Sequence, residues 1–194
     1  KEVNRMKKCK AFFDIEKEEN WLNEQLQKGY RCTNISALGI YTFKKTDKHY
    51  VMRLDYQNSL AKDKFKEYKE MYEDFGWHYV KGFGRSGIQY WQKEDDNQNE
   101  IYSDRQSKCN YYKRLMNYTS SLMILSLILS FALYKDSGLY LTEGLWHMEG
   151  SLFLKAFLFE TPFVLLRLLP ALMVVLFGLS FYKFYRKRAL LIEK

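Results

Sequence analysis

The sequence predicts an α+β domain followed by a transmembrane hairpin. Residues 115–134 and 163–182 are apolar segments of twenty residues each. At about 1.5 Å per helical residue, each is long enough to cross the roughly 30 Å hydrocarbon core of a bilayer. Residues 1–104 instead alternate strand and helix patterns, in the order strand-helix-strand-strand-helix-strand with an additional strand. That order favours a ferredoxin-like antiparallel sheet with two helices on one face.

The first half of the domain contains clear boundaries. An apolar segment at 8–13 predicts the first strand, and Asp14 is a suitable N-cap for the helix that follows. Gly29 is expected to end that helix. Residues 30–45 resemble one extended arm, bulged or broken at Gly39. Strict alternation over 49–56 predicts a strand with Arg53 and Asp55 on one face and Tyr50 and Tyr56 on the other.

The second half predicts a helix at 60–75, strands at 77–82 and 88–93, and an acidic linker at 94–100. Beyond it, residues 152–159 are expected to lie along the outer membrane surface. Pro162 suits a first helical turn, and Pro170 should kink the second span. The expected segments are a cytoplasmic α+β domain (1–104), a basic juxtamembrane connector (105–114), a span (115–134), an extracytoplasmic connector (135–162), a second span (163–182) and a basic cytoplasmic tail (183–194).

The formal net charge of +8 is concentrated beside the apolar segments. Residues 1–103 are nearly balanced, with 19 Lys and Arg against 17 Asp and Glu, so direct nucleic-acid binding is not expected. Basic flanks around both segments place both termini in the cytoplasm of a two-span protein of the cell membrane. The cations expected to contact lipid headgroups are Lys113, Arg114, Lys183, Arg186, Lys187 and Arg188.

The segment Gly82–Gly87 (GFGRSG) matches the dinucleotide-binding fingerprint letter for letter. A nucleotide site needs a helix after this motif, so that the helix N-terminus faces the pyrophosphate. Residues 88–92 alternate like a strand instead. A hairpin turn is therefore the favoured interpretation, and nucleotide binding is the alternative.

The remaining chemistry predicts no metal, cofactor or catalytic site, and hence no enzyme. Cys9, Cys32 and Cys109 lack a metal-ligand spacing and are expected to be free thiols, with Cys9 and Cys32 buried on neighbouring strands. The histidines are scattered along the chain. They are His49, His78 and His147.

Two groups of residues are candidates for binding. Arg53 and Asp55, with Tyr50 and Tyr56, could form a site on an open sheet face, although a cross-strand ion pair on a wet sheet is the favoured explanation of the charges. Arg167 is a charged residue inside the second predicted span. It either snorkels to the headgroups or recognises an anionic or amphiphilic ligand. Ser126 and Ser130, four residues apart, would let the second helix approach closely.

Several blocks of residues appear in the order found in a known bacterial family. They are residues 14–24 (DIEKEENWLNE), 29–30, 41–43, Tyr50 with 53–56, 76–77, and 101–104 with Ser107. Over about 7–108 the chain resembles the domain of unknown function 2812 family, whose genes often lie beside a PadR-type transcriptional repressor. The resemblance implies a membrane-anchored accessory or sensor in such a regulatory unit and supplies no catalytic residues.

The expected function is therefore a non-enzymatic membrane protein with a cytoplasmic binding module that modulates a PadR-like repressor. A small-ligand binder or enzyme using the open sheet face is one alternative, since such sheets host many functions. An accessory subunit of a membrane transporter, with the hairpin packed against a larger protein, is another.

Overall fold

The computed structural model describes residues 5–82, 84–102, 104–135 and 138–193. Phe83 of the glycine-rich motif and Ser103 of the family blocks lie outside these ranges. The chain divides into two compact units. The first unit is Lys1–Leu115 together with Lys187–Lys194, and the second unit is Met116–Arg186.

Within the described residues of the first unit, the strands form two three-stranded antiparallel sheets, in the orders β1-β3-β2 and β4-β6-β5. The elements are β1 (Arg5–Cys9), α1 (Ile15–Gln27), β2 (Tyr30–Ile35), β3 (Ile40–Lys45), β4 (Tyr50–Gln57), α2 (Lys62–Asp74), β5 (His78–Gly82) and β6 (Gly87–Glu94). Two longer helices follow, α3 (Arg105–Tyr134) and α4 (Gly150–Glu193).

The predicted start of α1 is confirmed. The Asp14 carboxylate accepts hydrogen bonds from the backbone N–H groups of Glu16, at 2.9 Å, and Lys17, at 3.4 Å. These groups would otherwise lack partners, because the first turn of a helix has no preceding carbonyls. Gly29, with φ +79°, follows the helix end as predicted.

One strand prediction is refined and another needs correction. The arm expected at 30–45, bulged or broken at Gly39, is broken there into the hairpin of β2 and β3. The chain turns at Gly39, where φ is +70° and an added Cβ would lie 2.6 Å from the Lys10 carbonyl oxygen. The first strand is β1, which ends at Cys9 rather than spanning 8–13. The apolar residues that follow it do not extend the strand, since Phe12 packs on Trp21, with ring centroids 5.4 Å apart.

The first unit contains an internal structural repeat. β1-α1-β2-β3 and β4-α2-β5-β6 are both βαββ units, and in each sheet the last strand lies between the other two. Their helices are each 13 residues long and are followed by glycines with φ +79° and +80°. Both hairpins also contain a register shift, in β2 after Cys32 and in β5 after Tyr79. Corresponding positions are separated by one constant interval: 15 and 62, 29 and 76, 32 and 79.

The α+β class is shown, but the ferredoxin-like arrangement is not confirmed. The helices do not share one face of one sheet. On the β4-β6-β5 sheet, the ring of Tyr72 from α2 stacks on Trp91 at 4.7 Å, whereas Glu18 from α1 binds Tyr90, whose side chain points to the opposite face. The run Gln89–Gln92 in β6 is buried at every position, as expected for a strand covered on both faces.

The second unit consists mainly of the apolar parts of helices α3 and α4. Within the described residues, α3 and α4 are the two helices that are long and apolar enough to span a membrane. The predicted spans lie inside these longer helices. α4 already includes residues 152–159, and both Pro162 and Pro170 are in its interior, so Pro162 does not occupy a first helical turn.

Candidate functional site

The structure places Asp55 away from any open surface. Its side chain is fully buried, with 0 % exposure. The donors to its carboxylate are the hydroxyls of Tyr68 at 2.9 Å and Tyr72 at 3.3 Å, the amide of Gln57 at 2.5 Å, the hydroxyl of Tyr102, and the guanidinium of Arg114 at 3.1 Å.

This network neutralises a charge that would be costly to bury alone. Arg114 supplies the opposite charge, and the hydroxyls supply hydrogen bonds. Burial, followed by the charge of Asp55, raises the pKa of Tyr68 and of Tyr72 far above the ordinary tyrosine value. These hydroxyls therefore remain protonated and continue to donate to Asp55 across the physiological pH range.

Two predictions change as a result. The face of β4 that carries Asp55 is not an open binding surface, because α2 and the start of α3 cover it. Arg114, predicted to contact lipid headgroups, instead binds Asp55 and donates to the Tyr56 carbonyl oxygen at 2.7 Å. Residues 105–114, predicted to be a juxtamembrane connector, are thus not a free segment. They form the first turns of α3, begun by Asp104, whose carboxylate accepts from the Ser107 N–H at 2.8 Å.

Polar side chains of α1 satisfy the outer edge of β4. The Asn23 amide donates to the Met52 carbonyl at 3.0 Å and accepts from the Met52 N–H at 2.9 Å, as a neighbouring strand would. Glu19 accepts from the Leu54 N–H at 2.8 Å, and the Tyr111 hydroxyl donates to the Leu54 carbonyl at 3.2 Å. An edge that would otherwise pair with another chain is thereby closed.

Glu18 links the two sheets from a buried position. Its carboxylate accepts hydrogen bonds from the hydroxyls of Tyr41 in β3 and Tyr90 in β6, both at 2.6 Å. Burial raises the pKa of Glu18, and the tyrosine hydrogen bonds partly oppose that rise. Sequence analysis missed Glu18, Glu19 and Asn23, because polar residues on an amphipathic helix normally indicate its solvent face.

A cleft of about 630 Å³ lies in the first unit, between α1, β4, the segment before α3, the first turns of α3 and the last residues of α4. Cations and carboxylates on its wall are paired. The pairs are Arg53–Glu19 at 3.3 Å, Lys187–Glu16 at 2.6 Å, and Lys108–Glu100.

Aromatic and apolar side chains complete the cleft. Tyr102, Tyr111 and Tyr112 form a continuous row, with neighbouring ring centroids 5.2 and 5.5 Å apart. Leu190 and Leu191, near the end of α4, contribute apolar surface. The cleft thus offers carboxylates, cationic side chains, tyrosine rings and leucine side chains.

Of the other predicted sheet-face residues, Arg53 lines the cleft and also shares a second cavity, of about 360 Å³, with Tyr50. Tyr50 in addition packs against Arg31, whose guanidinium lies 4.7 Å from the ring centroid. Tyr56 is half-buried, and burial raises its pKa. The predicted group of Arg53, Asp55, Tyr50 and Tyr56 therefore does not converge on one surface.

Arg167, in the second unit, binds the end of α3. Its guanidinium donates to the carbonyls of Leu133 at 2.7 Å and Leu139 at 3.1 Å, and lies 5.2 Å from the Tyr134 ring centroid. A cation at this position matches the unpaired carbonyls of a helix C-terminus. This contact accounts for Arg167 without either a lipid headgroup or a ligand, although it also lines a small cavity of about 260 Å³ with Glu160.

The small residues of α3 face protein. Ser126 is buried, and the Ser130 hydroxyl is buried with no hydrogen-bond partner among the residues that the structure describes. An added Cβ at Gly178 of α4 would lie 3.7 Å from the Met123 sulfur of α3. Of the predicted headgroup cations, Lys113 and Arg186 are exposed, Lys183 and Arg188 are partly buried, and Lys187 is paired with Glu16.

The glycine-rich motif is a hairpin turn, as predicted. Gly84 and Gly87 have φ of +86° and +87°, and strand β6 follows directly. The Gln89 amide donates towards the carbonyls of Gly84, at 3.3 Å, and Ser86, at 3.4 Å, which holds the turn in shape. The helix that a pyrophosphate site requires is replaced by a strand.

The cysteines are free, but their burial differs from expectation. Cys9 is exposed, while Cys32 and Cys109 are buried. Cys9 and Cys32 lie in β1 and β2, which flank β3 and are not neighbours. Burial raises the pKa of the Cys32 thiol to about 12, so this thiol is unreactive in the folded protein.

The fold and the cleft define an α+β protein with a βαββ pair and long apolar helices. Residues 14–124 match the family described as Protein of unknown function (DUF2812). The match covers more than half of the 194 residues, so the chain belongs to this family. This confirms the resemblance found in the sequence. Comparisons with curated proteins and with solved structures find no match.

Proposed function

We propose that this chain is a non-enzymatic, membrane-anchored accessory or sensor protein whose α+β unit lies in the cytoplasm. One observation carries the proposal: the start of α3 and the end of α4 are ion-paired within the same unit as the sheets. Arg114 binds Asp55 at 3.1 Å, and Lys187 binds Glu16 at 2.6 Å. A displacement of either helix end would therefore act directly on the α+β unit.

The apolar surface of α3 and α4 supports membrane anchoring. In the most apolar 18-residue stretch of each helix, only 17 % of α3 and 11 % of α4 is buried, unlike the core helix of a soluble protein. Residues 187–193 pack in the same unit as the sheets. With two spans, the N-terminal domain and the C-terminal tail would then lie on one side of the membrane. The basic flanks favour the cytoplasmic side.

The proposed partner is a PadR-type repressor, which the family resemblance supplies. The test measures the affinity of the neighbouring gene's PadR-type repressor for its operator DNA, with and without the full chain in lipid nanodiscs. We expect the full chain to shift that affinity. Arg114→Gln should reduce the shift, because it uncouples α3 from Asp55, whereas the exposed control Lys66→Ala should not. An unchanged operator affinity at saturating protein contradicts the proposal.

The alternatives have less support. A ligand or enzyme site on an open sheet face has less support, because the Asp55 side chain is fully buried and the run Gln89–Gln92 of the central strand β6 is buried at every position. A transporter subunit would present Ser126 and Ser130 to a larger partner, but Ser126 is already buried within this chain. Photocrosslinkers at the exposed residues Ile128 and Phe131 would test that role. Recovery of one stoichiometric transporter would favour it over the sensor.

A further inference from the structure

Lys187 occupies a cation-binding position within the cleft. Its ammonium lies 2.7 and 2.6 Å from the two carboxylate oxygens of Glu16, and 5.9 Å from the ring centroid of Tyr112. A carboxylate and a tyrosine face are the groups that bind organic ammonium ions in proteins. The side chain that fills this position is long and 42 % exposed, whereas that of Glu16 is 21 % exposed.

The remaining space of the cleft suits the body of such a ligand. Its volume of about 630 Å³ is in the range of small-molecule sites. Besides its paired charges, the cleft is lined by apolar and aromatic side chains. The side chains concerned are Leu54, Ile101, Tyr111, Leu190 and Leu191.

We propose that this cleft binds an amphiphilic organic cation, and that Lys187 is an internal occupant which the ligand's cationic group displaces from Glu16. The proposal deepens the sensor function above and rests on it, because it names the class of molecule that would be sensed. The apolar body of the ligand would cover the leucines and the tyrosine row. Its charge would replace the lysine ammonium on Glu16.

An anionic ligand fits the cleft less well. It would have to take one of the wall cations from its carboxylate: Lys187 from Glu16, Lys108 from Glu100, or Arg53 from Glu19, which also holds the backbone N–H of Leu54 at 2.8 Å. Releasing Arg53 would leave Glu19, which is mostly buried, without its countercharge. Releasing Lys187 is cheaper, because its ammonium can move into water while the incoming cation neutralises Glu16.

Displacement of Lys187 would let ligand binding affect the contact between α4 and the α+β unit. Lys187 belongs to α4 and Glu16 to α1, so the ion pair joins the end of an apolar helix to the α+β unit. A bound cation would break that link while leaving the Arg114–Asp55 link of α3 in place. The two apolar helices would then be coupled to the α+β unit unequally.

The test uses tetraphenylphosphonium as the probe and tetraphenylborate as a shape-matched anion. Binding of each to the full chain in nanodiscs is measured by equilibrium dialysis, with empty nanodiscs subtracted. We expect saturable binding of the cation and not of the anion. Lys187→Met, which removes the internal competitor, should tighten cation binding about three- to tenfold. Glu16→Gln should weaken it about as much.

The opposite directions of these shifts separate a ligand site from a structural ion pair, whose loss would affect binding the same way in both variants. Equal binding of cation and anion, or no saturable binding, overturns the proposal. So does weaker cation binding by a Lys187→Met variant whose thermal unfolding matches that of the parent chain. If Glu16→Gln does not fold, Lys187→Met alone decides. The dialysis contains no repressor, so its result does not depend on the operator measurement. Cation binding together with an unchanged operator affinity would overturn the repressor function and keep the cleft site.

Discussion

At the residue scale, the stability of the first unit depends on how its buried carboxylates are partnered. Asp55→Asn should lower the free energy of unfolding by about 3–5 kcal/mol. The substitution leaves the Arg114 guanidinium without its countercharge and turns an amide NH₂ group towards donors that need an acceptor. The measurement is denaturant unfolding in detergent, followed by tryptophan fluorescence, since Trp91 lies in one buried cluster with Tyr68 and Tyr72, which donate to Asp55.

Glu70→Gln is the matched control for that substitution. Glu70 pairs with Lys66 at 3.5 Å on the surface of α2, and both side chains are more than half exposed. Such pairs contribute little, so the control should stay within about 0.5 kcal/mol of the parent chain. Equal effects of the two substitutions would show that the Asp55 network does not stabilise the fold.

Glu18 should make stability depend on pH. Its pKa in the folded state is raised from 4.5 by burial, so the folded protein binds a proton more readily than the unfolded chain. This contribution is complete below pH 4.5 and is lost as the pH rises through the folded value. Glu18→Gln should therefore flatten the fall in unfolding free energy above pH 4.5. An unchanged slope in a pH series of denaturant unfolding would contradict the assignment.

Local signals at single residues were predictable, but the long-range network was not. Asp14 and Gly29 act within a few residues of their own position, where capping rules apply. Asp55, by contrast, binds Tyr102 and Arg114, which follow it by 47 and 59 positions. Strand alternation placed Asp55 and Arg53 on the same face of β4. It contains no information about which distant helix covers that face.

At the element scale, the edge of β4 depends on α1 instead of a seventh strand. Asn23→Ala should lower stability by about 1 kcal/mol and speed hydrogen exchange at the Met52 amide, because it removes both hydrogen bonds to the Met52 backbone. Asn20→Ala is the matched control, since Asn20 is exposed on the same helix. Equal protection of the Met52 amide in both variants would contradict the edge-closing role.

Substitution of the two hairpin glycines by alanine should lower the stability of the fold by different amounts. Gly39 and Gly87 both have positive φ, at +70° and +87°, but an added Cβ meets the Lys10 carbonyl oxygen at 2.6 Å only in the first case of this pair. Gly87→Ala should therefore cost about 1 kcal/mol from backbone strain alone. Gly39→Ala should cost more, because the backbone must also move. Thermal unfolding of the two variants checks the order, and equal costs would contradict it.

The structural repeat was not predictable from side chains, because equivalent positions have different chemistry. Lys8 binds Gln25 at 2.6 Å in the first βαββ unit. Asp55 and Tyr72, at the matching positions of the second unit, interact at 3.3 Å. The two positions interact in both units, but the first unit uses a cation–amide pair and the second a carboxylate–hydroxyl pair. The glycines after the helices were visible in the sequence, but their spacing alone indicates only where helices end.

At the scale of the whole molecule, the positions of apolar residues along the chain predicted the apolar helices and the α+β class, since both follow from local patterns of hydrophobicity. They did not predict that both helix ends join the first unit. The residues responsible, Arg114 and Lys187, look like ordinary juxtamembrane cations, and headgroup binding was the natural interpretation. Their carboxylate partners, Asp55 and Glu16, are far away in sequence. Candidate sites built from such distant residues become visible only in three dimensions.

The proposed topology can be tested with the protein's own thiols. Cys9 is exposed while Cys32 and Cys109 are buried, so a membrane-impermeant maleimide should label Cys9 only after the cells are permeabilised. Ser151→Cys introduces an exposed thiol at the start of α4. It should react in intact cells, because the positive-inside rule places the connector outside. Labelling of Cys9 in intact cells would reverse the proposed orientation. Protection of both thiols would instead mean that the connector does not cross the membrane, and α3 and α4 would then need another apolar partner to cover their surface.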